Sequence, residues 1–123
     1  MRKTNATIIA GVGMVAFGKP GASDNYDVMG EAAIREALTD SGLDFTHIKQ
    51  AYAGYVYGDS TCGQKVIYKV GMTGIPVVNV NNNCSTGSSA LFMARQAVES
   101  GLVDCALAVG FEQMQPGALG SVW

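Results

Sequence analysis

Cys84 stands in the run NVNNNCSTGSSA, from Asn79 to Ala90. Three asparagines lead into the thiol, small polar residues and a glycine follow it, and LFMARQAVESG then carries the pattern of a helix. The compact apolar segment PVVNV, Pro76 to Val80, precedes the run and reads as a buried strand. The sulfur is therefore expected at a sharp strand-to-helix turn, beyond the carboxyl end of a strand, where open α/β sheets bind ligands. Unpaired backbone N–H groups and the positive end of a helix dipole stabilise a thiolate in such a place, which suits a nucleophile. The small residues Ser85 and Gly87 would let a slender substrate arm or a partner chain approach the backbone. Tight packing around a buried thiol is the competing reading, because free cysteine is among the most buried residue types. These residues alone leave both open.

The other chemistry-bearing residues are few. Cys62, in GDSTCGQ, also follows an expected strand and is a second, weaker candidate; Cys105 falls inside an expected strand and reads as core. Three cysteines without a CxxC pair suggest free thiols in a reducing interior. His47 is the only histidine, so it is the only ordinary base for a Cys–His pair. It precedes one strand whereas Cys84 follows another, so the two fall at opposite edges of a parallel sheet, roughly 15–20 Å apart. A base must come within about 3 Å of its proton, and His47 is expected to be a surface residue. Gly11 to Ala16, GVGMVA, matches the dinucleotide pattern G-x-G-x-x-G/A. The pattern needs a helix start immediately and an acid about twenty residues on. Gly18, Pro20 and Gly21 forbid that helix, so a tight turn is the expectation.

The elements that must position Cys84 alternate in type. Strands are expected over 6–13, 51–57, 76–80 and 105–109, with helices over 26–41, 63–70 and 85–100; Gly42 and Gly101 stop two of the helices. The order β-α-β-α-β-α-β implies parallel strands joined by right-handed crossovers, with helices covering the sheet. The series ends on a strand and a loop, so the chain reads as truncated. Its 123 residues suffice for one small domain. Eight basic against ten acidic residues, with no basic stripe, exclude nucleic acid as the main ligand. No apolar run reaches the ~20 residues of a membrane span.

The stretch GMTGIPVVNVNNNCSTGSSALFMARQAVESGLVDCALAVGFEQM resembles the nucleophile segment of thiolases, most closely of the sterol-carrier-protein-X type. GYVYGDSTCGQKVIY and IIAGVGMVAFGKPG resemble the N-terminal portion of the same type, so the likeness runs through essentially all 123 residues. The resemblance implies an α/β thiolase-like N-terminal half-domain over residues 1–123, partial, with a mostly parallel sheet and covering helices. It implies that Cys84 attacks an acyl-CoA or 3-ketoacyl-CoA, becomes acylated and passes the acyl group on, with its own N–H in an oxyanion hole. Coenzyme A would be a substrate or product, with no permanently bound cofactor and no metal. A homodimer through this half, and a cytoplasmic setting (peroxisomal in a eukaryote), are implied as well. Thiolases place their activating histidines and second catalytic cysteine in a C-terminal half absent here. Cys62 and Cys105 lie in segments unlike that second cysteine motif. The fragment is therefore expected to be inactive, or nearly so, by itself. The alternatives are a non-catalytic module that binds acyl-CoA or a thiolase subunit, and a partner-dependent aldolase or condensing relative.

Overall fold

The sheet is organised around its first strand. In the computed structural model, which describes residues 6–118 and 120, β1 (Gln50–Gly54) pairs in parallel with β2 (Val77–Val80) on one side and β3 (Ala106–Gly110) on the other. The strand order is β2-β1-β3. Three helices accompany it: α1 (Tyr26–Ser41), α2 (Cys62–Tyr68) between β1 and β2, and α3 (Thr86–Glu99) between β2 and β3. The first crossover steps outward from β1 and the second steps back across it. With both right-handed, α2 and α3 must cover opposite faces.

The side chains obey that geometry with the period of two that a strand imposes. Ala51, Ala53, Leu107 and Val109 join Ile34 of α1 and Val66 and Ile67 of α2 in one cluster. Tyr52 joins Ala90, Ala94 and Ala97 of α3 in the other, flanked by Val78, Ala106 and Ala108. The alanines of α3 let that helix lie close to the sheet. Stacked rings tie α1 to both strand ends: Phe111 lies 5.4 Å from Tyr26 and 5.2 Å from Tyr55, centroid to centroid.

The α/β class and parallel sheet are as the sequence led us to expect, and most elements fall within a residue or two of their predicted bounds. Gly42 ends α1 in the left-handed conformation, φ 69°. β1 is shorter than the predicted 51–57 because the chain leaves the sheet after Gly54. The N–H groups of Val56 and Tyr57 donate to the Glu112 carboxylate, at 2.9 and 3.1 Å, instead of to a neighbouring strand.

The predicted strand over 6–13 requires correction. That segment is extended but joins no sheet among the described residues, and β1 already has a partner on each edge. It lies along α1, with the Val12 N–H donating to Asp40 Oδ2 at 2.8 Å and the Met14 N–H to Glu36 Oε2 at 3.2 Å. Gly11 and Gly13 permit this. A Cβ on either would come within 2.4 Å of the Ala37 carbonyl oxygen or 2.2 Å of that of Ala33. The GVG run is thus neither a nucleotide loop nor the expected tight turn, but a place where an extended backbone rests on a helix. The apolar residues Ile8, Ile9, Val12 and Met14 stay exposed, so the segment is not the buried strand expected.

Asp27, in the first turn of α1, is buried and holds α2 through Lys69 Nζ at 2.8 Å, with Lys65 Nζ at 3.9 Å. The Lys69 hydrogen bond holds the Asp27 carboxyl below the usual carboxylate range, against the opposing effect of burial. A depressed folded value means that the contribution is fully present above the unfolded value of about 3.9 and is lost as pH falls through the folded one. Thermal melts from pH 7 down to pH 2 should show this loss. Lys69→Met should lower stability by about 1–2 kcal/mol at pH 7, with a shallower decline in acid than wild type.

Candidate active site

Three parallel strands end together, so the loops after Gly54, Val80 and Gly110 meet at one edge. The loop after β2 carries Cys84. It forms a short 3-10 turn, Asn83–Ser85, that runs directly into α3. Cys84 is exposed and unpaired with any other cysteine, and its N–H meets no acceptor among the described residues. The thiol belongs to neither core cluster of this domain.

The turn is shaped by its neighbours. Asn83 has φ 49°, the only positive φ among described non-glycine residues. Asparagine tolerates that left-handed conformation better than most residues do. The Asn83 N–H donates to Asn81 Oδ1 at 3.1 Å, and the Ser85 N–H to the Asn82 carbonyl at 3.1 Å. Thr86, only 5% exposed, sits beneath the turn. Its Oγ1 accepts from the Asn82 N–H at 2.8 Å and donates to the Asn83 carbonyl at 2.5 Å.

The two residues expected to receive substrate lie on the open side. Ser85 is exposed, with its hydroxyl donating to the Asn82 carbonyl at 2.9 Å. Gly87 is exposed, and a Cβ built there would meet nothing within 4 Å. Cys84, Ser85 and Gly87 thus share one exposed segment at a helix start. Cys62 does not offer a second nucleophile. It is 2% exposed at the start of α2, beneath Tyr55. The neighbouring Cys62 first, and burial second, push the Tyr26 hydroxyl pKa well up. Burial likewise raises Tyr55, whose hydroxyl donates to the Asp59 carbonyl at 2.5 Å and accepts from the Cys62 N–H at 3.3 Å. Cys105 lies just before β3, half-buried against the core rather than inside the strand, and burial pushes its thiol pKa up.

His47 lies in a 3-10 turn three residues before β1, exposed, with Nδ1 3.2 Å from the Asp44 carbonyl oxygen. It is at the amino edge of the sheet, remote from the Cys84 turn as the topology required. Among the described residues no cluster of three or more His, Cys, Asp or Glu side chains could hold a metal ion. No helix among them is long and apolar enough to cross a membrane.

Sequence reasoning missed three residues that fix this edge. Thr86 was seen only as small and polar. Gly54 was seen only as part of a strand, although a Cβ there would come within 2.8 Å of Thr86 Cγ2. Glu112 gave no local signal, because its partners Val56 and Tyr57 lie more than fifty residues away in sequence. Only the positive φ of Asn83 had a local cue, in the preference of asparagine for turns.

Residues 7–118 match the family model described as the thiolase N-terminal domain. The chain belongs to the thiolase family. It is 55% identical over 115 residues to sterol carrier protein 2 of Gallus gallus, which covers 92% of this chain and 21% of that protein. It is 38% identical over 114 residues to benzoylsuccinyl-CoA thiolase subunit BbsB of Thauera aromatica, covering 91% and 29%. The chain therefore spans about a fifth to a third of the length of these relatives. Among solved structures, the priming β-ketosynthase of the R1128 polyketide biosynthetic pathway aligns with a TM-score of 0.68 at 29% identity, over 74% of this chain and 28% of that one. The 3-oxoacyl-[acyl-carrier-protein] synthase III of Aquifex aeolicus shares the fold at a TM-score of 0.63 and 19% identity, over 77% and 32%. This thiolase domain is thus related to sterol carrier protein 2, thiolases and β-ketosynthases.

The left-handed Asn83 gives a direct test of how the turn is held. Asn83→Gly should leave the melting temperature nearly unchanged. Asn83→Val should cost about 1–2 kcal/mol, because a β-branched residue resists that conformation; chemical denaturation of the three proteins compares them.

Proposed function

We propose that this domain serves acyl transfer from coenzyme A thioesters, with Cys84 as the nucleophile. The observation that carries the reading is the open exposure of Cys84 at the turn from the carboxyl end of β2 into α3. Its sulfur forms a bond to the C3 carbonyl carbon of a 3-ketoacyl-CoA. The C2–C3 bond then breaks, its electron pair passing to C2 of the departing acetyl-CoA, which takes up a proton. The thiol of coenzyme A attacks the resulting acyl-cysteine and releases a shortened acyl-CoA. The free N–H of Cys84 is a donor for the oxygen that becomes negative in each addition. Ser85 and Gly87 line the open approach to the sulfur.

The reaction also needs a group that moves protons, and His47 is at the wrong edge to be that group. The base therefore comes from outside this domain, in keeping with relatives several times its length. Coenzyme A is substrate and product here, not a resident cofactor. The same reading carries a homodimer through this domain and a cytoplasmic setting, peroxisomal in a eukaryotic cell. Substrates with branched or sterol side chains fall within its scope. The position of His47 also favours a second reading, a module that binds acyl-CoA or a thiolase subunit without turnover.

Mass spectrometry separates the two. After incubation with acetoacetyl-CoA, an extended chain that carries this domain together with the base-supplying portion should yield on digestion an acetyl group on the peptide bearing Cys84, and Cys84→Ala should abolish it. Binding of acyl-CoA by that extended chain with no adduct on Cys84 would favour the non-catalytic module.

A further inference from the structure

Cys84 is held in a turn that β2 and α3 do not complete by themselves. Thr86 has its hydroxyl tied to both sides of that turn, to the Asn82 N–H and the Asn83 carbonyl. Its methyl end faces β1. Gly54, the last residue of that strand, leaves just enough room: an added Cβ would stand 2.8 Å from Thr86 Cγ2 and 2.9 Å from the Thr86 carbonyl oxygen. The central strand thus supports the side chain that closes the turn on the neighbouring strand's loop. The main-chain bonds of Gly54 hold that support in place. Its carbonyl accepts from the Phe111 N–H at 3.0 Å, and the next N–H, of Tyr55, donates to the Val80 carbonyl at 3.2 Å.

We propose that Thr86 and Gly54 are a positioning pair for Cys84, with the threonine hydroxyl fixing the left-handed turn at Asn83 and the bare strand end seating the threonine. Neither residue touches a reacting atom; both act through the backbone on which the sulfur is mounted. The two parts of the threonine have separable duties. The hydroxyl supplies the bonds and the methyl fills the space over Gly54. Loss of the hydroxyl would leave the Asn82 N–H and the Asn83 carbonyl without this partner and free the turn to sample other conformations.

The inference rests on Cys84 being the functional thiol, but its test does not require acyl transfer. The rate of iodoacetamide alkylation at Cys84 is followed by peptide mass spectrometry, with Cys105 in the same molecule as internal reference and the melting temperature recorded in parallel. Thr86→Val keeps the shape and removes the hydroxyl; it should slow Cys84 about fivefold, the worth of one hydrogen bond, while Cys105 is unchanged. Thr86→Ser restores the hydroxyl and should stay within about twofold of wild type. Gly54→Ala leaves the threonine intact but displaces it, and should repeat the loss seen with valine. An unchanged or faster Cys84 in Thr86→Val, or a serine variant as impaired as the valine one, would overturn the proposal. An extended chain, with the base-supplying portion present, that takes no acetyl group from acetoacetyl-CoA while this pattern holds keeps the positioning pair and removes only the acyl-transfer reading.

Discussion

Hydrogen bonding on both edges of β1 is the constraint from which the rest of the domain follows. A central strand with parallel neighbours on each side fixes where β2 and β3 must end, because parallel registers carry the strands in step. It also forces α2 and α3 to opposite faces, since one crossover leaves β1 and the other returns across it. Three loops are thereby delivered to one edge. Main-chain bonds there run from β1 to both neighbours: Tyr55 to Val80 and Phe111 to Gly54. The Glu112 carboxylate adds a further bond set, holding the first turn after β1 from the loop after β3. The position of Cys84 is a consequence of this closure more than of its own strand, which is only four residues long.

Much of this was legible in the sequence where the signal was local. The β2–α3 turn could be read from an apolar run, a polar break and a helical stripe, and α1 from its periodicity and the glycine after it. Remoteness of His47 from Cys84 followed from topology alone. What failed was the segment 6–13. Its short apolar run is of the kind that strands carry, but such a run does not say what the backbone pairs with, and Ile8 and Ile9 are both exposed. Here the inner side rests on α1 through two glycines, a contact that sequence spacing cannot distinguish from a sheet neighbour. Glu112 was illegible for a different reason. Its function depends on two N–H groups left over when β1 ends early, and the length of β1 is set by pairing with strands distant in sequence.

Cys62 shows how burial decides between two thiols with similar local settings. Both cysteines follow a strand of the same sheet and both open a helical segment. Cys62 is closed in by Tyr55 and Tyr26, with the Tyr26–Phe111–Tyr55 stack behind them, and a Cβ on Gly58 would approach its sulfur to 2.6 Å. Cys84 has asparagines, a serine and open space instead. Aromatic packing turns one thiol into core, and its absence leaves the other available.

The turn at Cys84 also shows why small residues gather there. An exposed sulfur is useful to a substrate only if the surrounding chain neither covers it nor lets it wander, and these demands conflict. Bulky neighbours would hold the turn by packing but would block the approach. The domain resolves the conflict by placing the restraint underneath: Thr86 is buried and bonded on the inner side, while Ser85 and Gly87 present almost nothing on the outer side. That division requires space beneath the turn, which the missing side chain of Gly54 supplies. A glycine at the end of a central strand, where it loses conformational entropy and packs no side chain, is otherwise a poor choice. Its presence there makes sense once the strand end is understood as the seat for the residue that steadies the thiol.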